Sequence, residues 1–239
     1  MPLPEGATGD CWAVVAAAGR GSRMGLGTAK QFRPIGGRSV LAWSLAPLLA
    51  CARIRRIVVV IARDLDPPEL DLAPTDRARV VFAAGGAERM DSVLAGIAAL
   101  REAGAGLDDP VLVHDAARPC LRAEAVARLL VEAATPDGGL LALPLHDTVK
   151  HADADGTSVD RTLDRGRLWR AQTPQVFPLD ALERALQRAQ AAGLPCSDEA
   201  QAMERAGYRP RLVRGDATNL KITAPDDWPL AEFLLGRDA

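Results

Sequence analysis

Apolar residues along the chain fall into short dense runs separated by longer amphipathic or polar stretches, a rhythm that predicts alternating strands and helices. Residues 11–15 (CWAVV) form the first run, 56–61 (RIVVVI) the second, 79–83 (RVVFA) the third, 111–114 (VLVH) the fourth and 140–143 (LLAL) the fifth. Aliphatic and β-branched side chains without polar alternation suit strands buried on both faces. A helix is expected to begin at residues 40–45, after a Gly36-Gly37 turn, and others over 90–103, with Asp91 or Ser92 as its cap, and over 123–134. Residues 64–72, which include Pro67-Pro68, read as a loop or short helix. Helices are predicted over 178–192 and 198–206, then a last strand over 219–222 and a helix over 225–235. The expected class is α/β and Rossmann-like, a mostly parallel sheet with helices on both faces. It reads as a single domain over 1–239, with residues 1–10 as a disordered lead and no internal repeat or second catalytic domain.

Residues 146–170 break the rhythm. Asp147, Lys150, Asp153, Asp155, Asp160, Arg161, Asp164 and Arg165 leave little there to pack a core. Thr148-Val149 and residues 159–163 pattern as a hairpin around residues 153–156. An isolated hairpin is marginal in water, so an ordered one needs a partner.

The chain has 239 residues with 29 Lys+Arg against 31 Asp+Glu, a net charge of −2. That near-balance gives no global field toward nucleic acid or an anionic membrane. No apolar run reaches the roughly 18–20 residues of a membrane span, and the N-terminus lacks the basic and apolar regions of a secretion signal. Cys11, Cys51, Cys120 and Cys196 are widely spaced, without a CxxC pair, and read as free thiols. A soluble cytoplasmic protein is expected.

Chemistry concentrates where such a sheet binds ligands, beyond the carboxyl ends of its strands. After the first run comes AAAGRGSRMG at residues 16–25, followed by Lys30. Three alanines and three glycines let a ligand approach the main chain, whose amides can then face phosphate oxygens. Arg23 and Lys30 add two cations, so the loop suits a polyphosphate. It is not the phosphate loop of nucleoside triphosphatases, because the chain has no Gly-Lys pair. Nor does it fit the dinucleotide fingerprint: Met24 stands where the third glycine belongs, and Ser39 stands where the acidic residue is needed.

Ala-Ala-Gly-x-Gly-x-Arg-Met followed by Lys30 resembles the signature loop of nucleotidyltransferases that activate sugars and polyols. More narrowly, the chain resembles the 2-C-methyl-D-erythritol 4-phosphate cytidylyltransferase family. The motifs that carry this, in order, are AAAGRGSRMG, AKQF around Lys30, GGAERMDSV (85–93), VHDAARP (113–119), DTVK (147–150), TLDRGRLWRAQTPQ (162–175), SDEA (197–200) and NLKIT (219–223). The resemblance implies a glycosyltransferase-A-like form of the fold, and it implies a homodimer in which residues 146–170 form a protruding β-arm over the neighbouring subunit. It also implies transfer of the cytidylyl group of CTP to the polyol phosphate with release of pyrophosphate.

By the same resemblance, Ala16, Ala17, Ala18, Gly19, Gly85, Gly86, Arg89, Ser92, Asp115 and Ala116 hold the nucleotide. Arg23, Lys30, Arg165 and Lys221 are the implied catalytic residues. Asp115 lies near a Mg²⁺ carried with the triphosphate, and Asp115, Arg118, Thr148, Arg165, Thr173, Ser197 and Lys221 are implied for the acceptor. Thr148 and Arg165 would come from the neighbour's arm. The family often has an acidic residue or glycine where Ala87 stands, so only the Ala87 backbone can serve. Ser197 replaces a common threonine and keeps the hydroxyl.

The chemistry is consistent with these residue types. A phosphate monoester has a second pKa near ~6, so the attacking oxygen is already largely ionised and needs no general base. It needs charge neutralisation and in-line positioning, which arginine and lysine supply. His114 is assigned no chemistry. Three other readings use the same residues: a cytidylyltransferase for another polyol phosphate such as ribitol 5-phosphate, a glycosyltransferase with Asp64-Leu65-Asp66 as metal motif, and a nucleotide-binding regulator. The Asp-Leu-Asp reads better as a solvated turn, and the retained acceptor-side residues argue against a regulator.

Overall fold

The first apolar run forms β1 (Cys11–Ala16), a strand with alternate side chains in two separate cores. The computed structural model describes residues 9–19 and 29–237. A one-turn 3-10 helix at Lys30–Phe32 and the small hairpin of β2 (Pro34–Ile35) and β3 (Arg38–Ser39) lead into α1 (Val40–Leu49). Ser39 caps α1 by accepting from the Ala42 amide at 3.1 Å. There follow β4 (Ile54–Ile61), the short α2 (Pro74–Arg77), β5 (Val80–Ala84), α3 (Arg89–Glu102), β6 (Pro110–Asp115), α4 (Ala123–Glu132) and β7 (Gly139–Pro144). The polar interlude is a hairpin of β8 (Val149–Ala152) and β9 (Val159–Leu163). Then come β10 (Trp169–Pro178), α5 (Leu179–Ala191), α6 (Glu199–Arg205), β11 (Arg211–Arg214) and α7 (Asp227–Leu235).

Seven strands make one sheet in the order β11-β7-β10-β6-β1-β4-β5. Every neighbouring pair is parallel except the two that involve β10, which runs antiparallel to both β6 and β7. On one face α1 and α4 cover Ala13, Val15, Ile57 and Val59 with Leu41, Leu45 and Leu129. On the other, α3 and α5 cover Trp12, Val14, Val58 and Val60 with Ile97, Leu100, Leu182 and Leu186. At Gly96 of α3 an added Cβ would lie 2.5 Å from a Val14 methyl, so the helix sits on β1 at a distance only glycine allows.

From β1 the chain crosses to β4 and β5 on one side and then returns to β6 on the other. This reversal beside β1 is where open α/β sheets place their ligand crevice. In register, Ala16 ends β1 opposite Asp115 at the end of β6.

Several expectations are corrected here. Residues 219–222 are not a strand: Ile222 donates its amide to the Ala117 carbonyl, and the Asn219 carbonyl accepts from side chains. The last strand is instead β11, and neither it nor β10 is foreshadowed by the apolar pattern. The cap of α3 is Glu88, whose amide donates to Asp91 at 3.0 Å, while Ser92 sits a turn inside the helix. The first eight residues of the proposed lead lie outside the described residues. Gly9 and Asp10 are tied to β4 and the turn before it, the Gly9 carbonyl by Arg53 and the Asp10 carboxylate by Arg55 at 3.2 Å. Among the described residues, no helix is long and apolar enough to cross a membrane.

Candidate active site

The loop after β1, the turn after β5 and the end of β6 converge on one cleft. Its lining includes a small-residue stretch, Ala16, Ala17, Ala18, Gly19 and Ala116, together with Lys30, Gly86, Arg89, Ser92, Asp115 and Lys221. The small-residue wall is held open from behind. The amide nitrogen of Gln31, which is buried, donates to the Ala17 carbonyl at 2.6 Å and the Gly19 carbonyl at 3.0 Å. The Ala17 amide donates back to Val60 at 2.8 Å. Arg23 lies outside the described residues.

Gly85 and Gly86 shape the second wall by close approach. A Cβ on Gly85 would lie 2.8 Å from the Ala18 Cβ and 2.8 Å from the Ser92 hydroxyl, and one on Gly86 would lie 2.2 Å from Asp91. The buried Ser92 hydroxyl accepts from the Gly86 amide and donates to the Glu88 carbonyl, both at 3.2 Å. Ser92 thus fixes the turn that meets the alanine-rich loop after β1.

At the floor, Asp115 is 6% exposed and surrounded by cations. Arg89 approaches its Oδ1 at 3.1 Å, Lys221 Nζ its Oδ2 at 2.8 Å, and Arg118 Nε lies 3.8 Å from Oδ2. Burial alone would raise the Asp115 pKa, but Arg89, Lys221 and Arg118 outweigh it and hold the carboxyl well below the usual range. Arg89 is forked onto Glu199 as well, at 2.6 and 3.1 Å. Burial would lower the Arg89 pKa, yet Glu199 and Asp115 raise it, so the guanidinium stays charged.

Behind Asp115, the Thr173 hydroxyl accepts from its amide at 3.0 Å and lies 3.0 Å from Nδ1 of His114. Burial pushes the His114 pKa down to about 3, so the ring is neutral. Asn219 donates to the Thr173 carbonyl at 2.8 Å, and its own carbonyl accepts from Arg118 at 2.8 Å. Lys30 reaches the Ile222 carbonyl, which joins the loop before α1 to the NLKIT segment.

The structure divides the expected site residues. Ala16, Ala17, Ala18, Gly19, Lys30, Gly86, Arg89, Ser92, Asp115, Ala116 and Lys221 line one cleft, with Gly85 buried just behind it. Thr173 and Arg118 do not line it: Thr173 is buried beneath Asp115, and Arg118 is turned to the Asn219 carbonyl. Ser197 is exposed just before α6, its amide donating to Gln201 at 2.9 Å. Thr148 and Arg165 are exposed at the base of the β8–β9 hairpin, Arg165 donating to the His146 carbonyl. The Asp64-Leu65-Asp66 stretch is an exposed turn after β4, outside the cleft. Glu199 and Gln31 are not among the expected site residues, although both lie inside the motifs SDEA and AKQF. Their buried surroundings exist only once α6 and the loop are packed.

A side-chain-poor turn facing lysines and a buried aspartate, at the reversal of a mostly parallel sheet, defines an enzyme of the nucleotidyltransferase class. Residues 11–237 match the family model for 2-C-methyl-D-erythritol 4-phosphate cytidylyltransferase, and the chain belongs to that family. A relative of that name from Ectopseudomonas mendocina (strain ymp) is 52% identical over 217 residues, 90% of this chain and 92% of the relative. One from Klebsiella pneumoniae subsp. pneumoniae is 47% identical over 227 residues, 94% and 93% of the two chains. The crystal structure of the cytidylyltransferase from Thermus thermophilus superposes with a TM-score of 0.77 at 34% identity, covering 94% of this chain and 98% of that one. The Francisella tularensis structure gives 0.78 at 29% identity, covering 94% and 99%.

Proposed function

We propose that the protein transfers the cytidylyl group of CTP to 2-C-methyl-D-erythritol 4-phosphate, releasing pyrophosphate, for isoprenoid precursor synthesis by the non-mevalonate pathway. The observation that carries this is the convergence of the Ala16–Gly19 backbone, Lys30 and Lys221 on one cleft, in a chain of this family. The acceptor's phosphate oxygen attacks the α-phosphorus of CTP, a new P–O bond forms, and the bond to the β-phosphate oxygen breaks. Two anions must meet for this. Lys30 and Lys221 supply the opposing charge where it builds up, on the α-phosphate and the departing pyrophosphate. The amides of the alanine-rich turn hold the polyphosphate without bulk between them and it. Gly86 and Ser92 present main-chain and hydroxyl groups for the base and ribose.

The donors fit a Mg²⁺ that travels with the nucleotide. No group of three metal-ligating side chains exists among the described residues, and Asp115 already faces three cations. Asp115 would be the protein's contribution to a cation held mainly by phosphate oxygens and water, and that cation would supply further neutralisation of the triphosphate. The acceptor is assigned to Lys221, the one expected acceptor residue besides Asp115 that lines the cleft among the described residues, with Thr148 and Arg165 contributed across a homodimer by the arm at residues 146–170. The exposed hairpin and the position of Arg165 outside the cleft of its own chain support that arrangement. Four free cysteines suit a cytoplasmic setting.

Pyrophosphate release from CTP with Mg²⁺ is the direct test, with 2-C-methyl-D-erythritol 4-phosphate and ribitol 5-phosphate as parallel acceptors. Turnover with ribitol 5-phosphate alone would overturn the acceptor, and CTP binding without pyrophosphate release would overturn the enzyme reading. Full activity in both Lys30→Ala and Arg165→Ala would overturn the residue assignments.

A further inference from the structure

Glu199 is 1% exposed and has no part in the proposed transfer step. A buried carboxylate is tolerated only when its oxygens are paired. Both oxygens go to Arg89, at 2.6 and 3.1 Å, in the planar fork that arginine forms with carboxylates. The other edge of the same guanidinium lies 3.1 Å from Oδ1 of Asp115. Arg89 therefore cannot turn into the cleft without breaking two short bonds, and Asp115 cannot rotate without leaving Arg89.

We propose that Glu199 is a positioning residue for nucleotidyl transfer: it locks Arg89 in place and, through Arg89, sets the direction of the Asp115 carboxylate. This rests on the cytidylyl-transfer reading of the same cleft. Glu199 is not needed to dock the helix it opens. Gln175 of β10 already holds that end of α6, donating to Asp198 at 2.9 Å and accepting from the Ala200 amide at 2.8 Å, and Met203 is packed in the core. Nor does it hold the Asp115 main chain, which Thr173 grips. What depends on Glu199 is the orientation of two charged groups at the floor of the cleft.

The charge arithmetic points the same way. Arg89 shared between two carboxylates is satisfied and is not a phosphate ligand, which among the described residues of the cleft leaves Lys30 and Lys221 to meet the triphosphate. With Glu199 neutral, the floor gains one net positive charge and Arg89 is released toward the nucleotide. CTP should then bind as tightly or more tightly, while Asp115 loses its fixed direction and turnover slows. Loss of a group that orients an active-site ligand typically costs about 10–100-fold.

The experiment compares wild type with Glu199→Gln, which keeps the shape and removes the charge, and with Glu199→Asp, which keeps the charge and shortens the reach. CTP affinity is read by calorimetry with Mg²⁺, kcat by pyrophosphate release, and folding by the thermal transition. The expected result for Glu199→Gln is a roughly 10–100-fold fall in kcat with a CTP Kd unchanged or lower. An unchanged kcat, or a Kd weakened in step with kcat, would overturn the proposal. So would loss of a cooperative transition in both variants, which would make Glu199 a folding residue. Wild-type protein that binds CTP but releases no pyrophosphate with either acceptor would instead fail the functional reading, and the Kd comparison would still report on Glu199.

Discussion

Gly85→Ala tests the coupling between the two walls of the cleft. The added methyl would sit 2.8 Å from the Ala18 Cβ, 2.8 Å from the Ser92 hydroxyl and 3.1 Å from the Ile61 carbonyl. Carbon atoms pack at roughly 3.5–4.0 Å, so Ala18 must retreat by about 0.7–1.2 Å. Ile61 is a strand residue whose carbonyl accepts from the Gly85 amide at 2.7 Å, and Ser92 is held by two hydrogen bonds. The strain therefore falls on Ala18 and the alanine-rich loop after β1. Overpacking of this kind costs about 1–3 kcal/mol, or a fall in Tm of roughly 2–12 °C for a chain this size. A displacement near 1 Å beside a reacting phosphate lowers kcat/KM for CTP by on the order of 10²-fold. Differential scanning calorimetry and pyrophosphate release measure the two effects. Ala18→Gly in the same chain removes one of the clashing carbons and should restore part of both, a coupling of about 0.5–3 kcal/mol. An unchanged Tm and kcat/KM in Gly85→Ala, or no relief from Ala18→Gly, would refute the reasoning.

Lys30→Ala and Lys221→Ala should each lower kcat by about 10²–10³-fold, the usual effect of removing one charge-stabilising group, as read by pyrophosphate release. On the proposed homodimer, Arg165→Ala and Lys221→Ala subunits, each inactive alone, should on mixing regain about a quarter of wild-type activity, because half of randomly formed dimers carry one intact composite site of two. No recovery would place Arg165 in the cleft of its own chain. His114 has a folded pKa of about 3, below the unfolded value of 6.5, so between those values only the unfolded chain takes up the proton. Stability is lost as pH falls through that window, by about 1.4 kcal/mol per unit. Urea unfolding of His114→Gln should show a slope shallower by that amount between about pH 6 and 4. Burial pushes the Cys11 thiol up to about 12. Cys51 and Cys196, both half-buried, should react with a disulfide reagent in the native protein at about pH 8, and Cys11 and Cys120 only after unfolding.

Much of the sheet is legible from local pattern because its parallel strands are buried on both faces. RIVVVI and VLVH read as strands before any neighbour is known, and the hairpin at residues 146–170 is readable from its turn and alternation. β10 is not. Its WRAQTPQVFP sequence is half polar, and Gln172, Thr173 and Gln175 are buried there only because Asp216, Asp115 and Asp198 meet them from distant parts of the chain. Conversely, the NLKIT run looks like a strand, but Lys30, Arg118 and Gln172 occupy its carbonyls, so it stays irregular.

The residues proposed to meet the triphosphate are announced by composition: alanine and glycine where the main chain must be approached, lysine where charge must be met. Those demands are local, so the sequence by itself determined the α/β class and the family. Which carboxylate a given arginine faces is decided by elements brought together across more than a hundred residues. Arg89 and Glu199 meet only because α6 is held against β10 through Gln175, and Arg118 turns from the cleft to the Asn219 carbonyl. Pairing energies in a buried site depend on distances of a few ångströms and on the water excluded around them, and those quantities exist only in the folded protein.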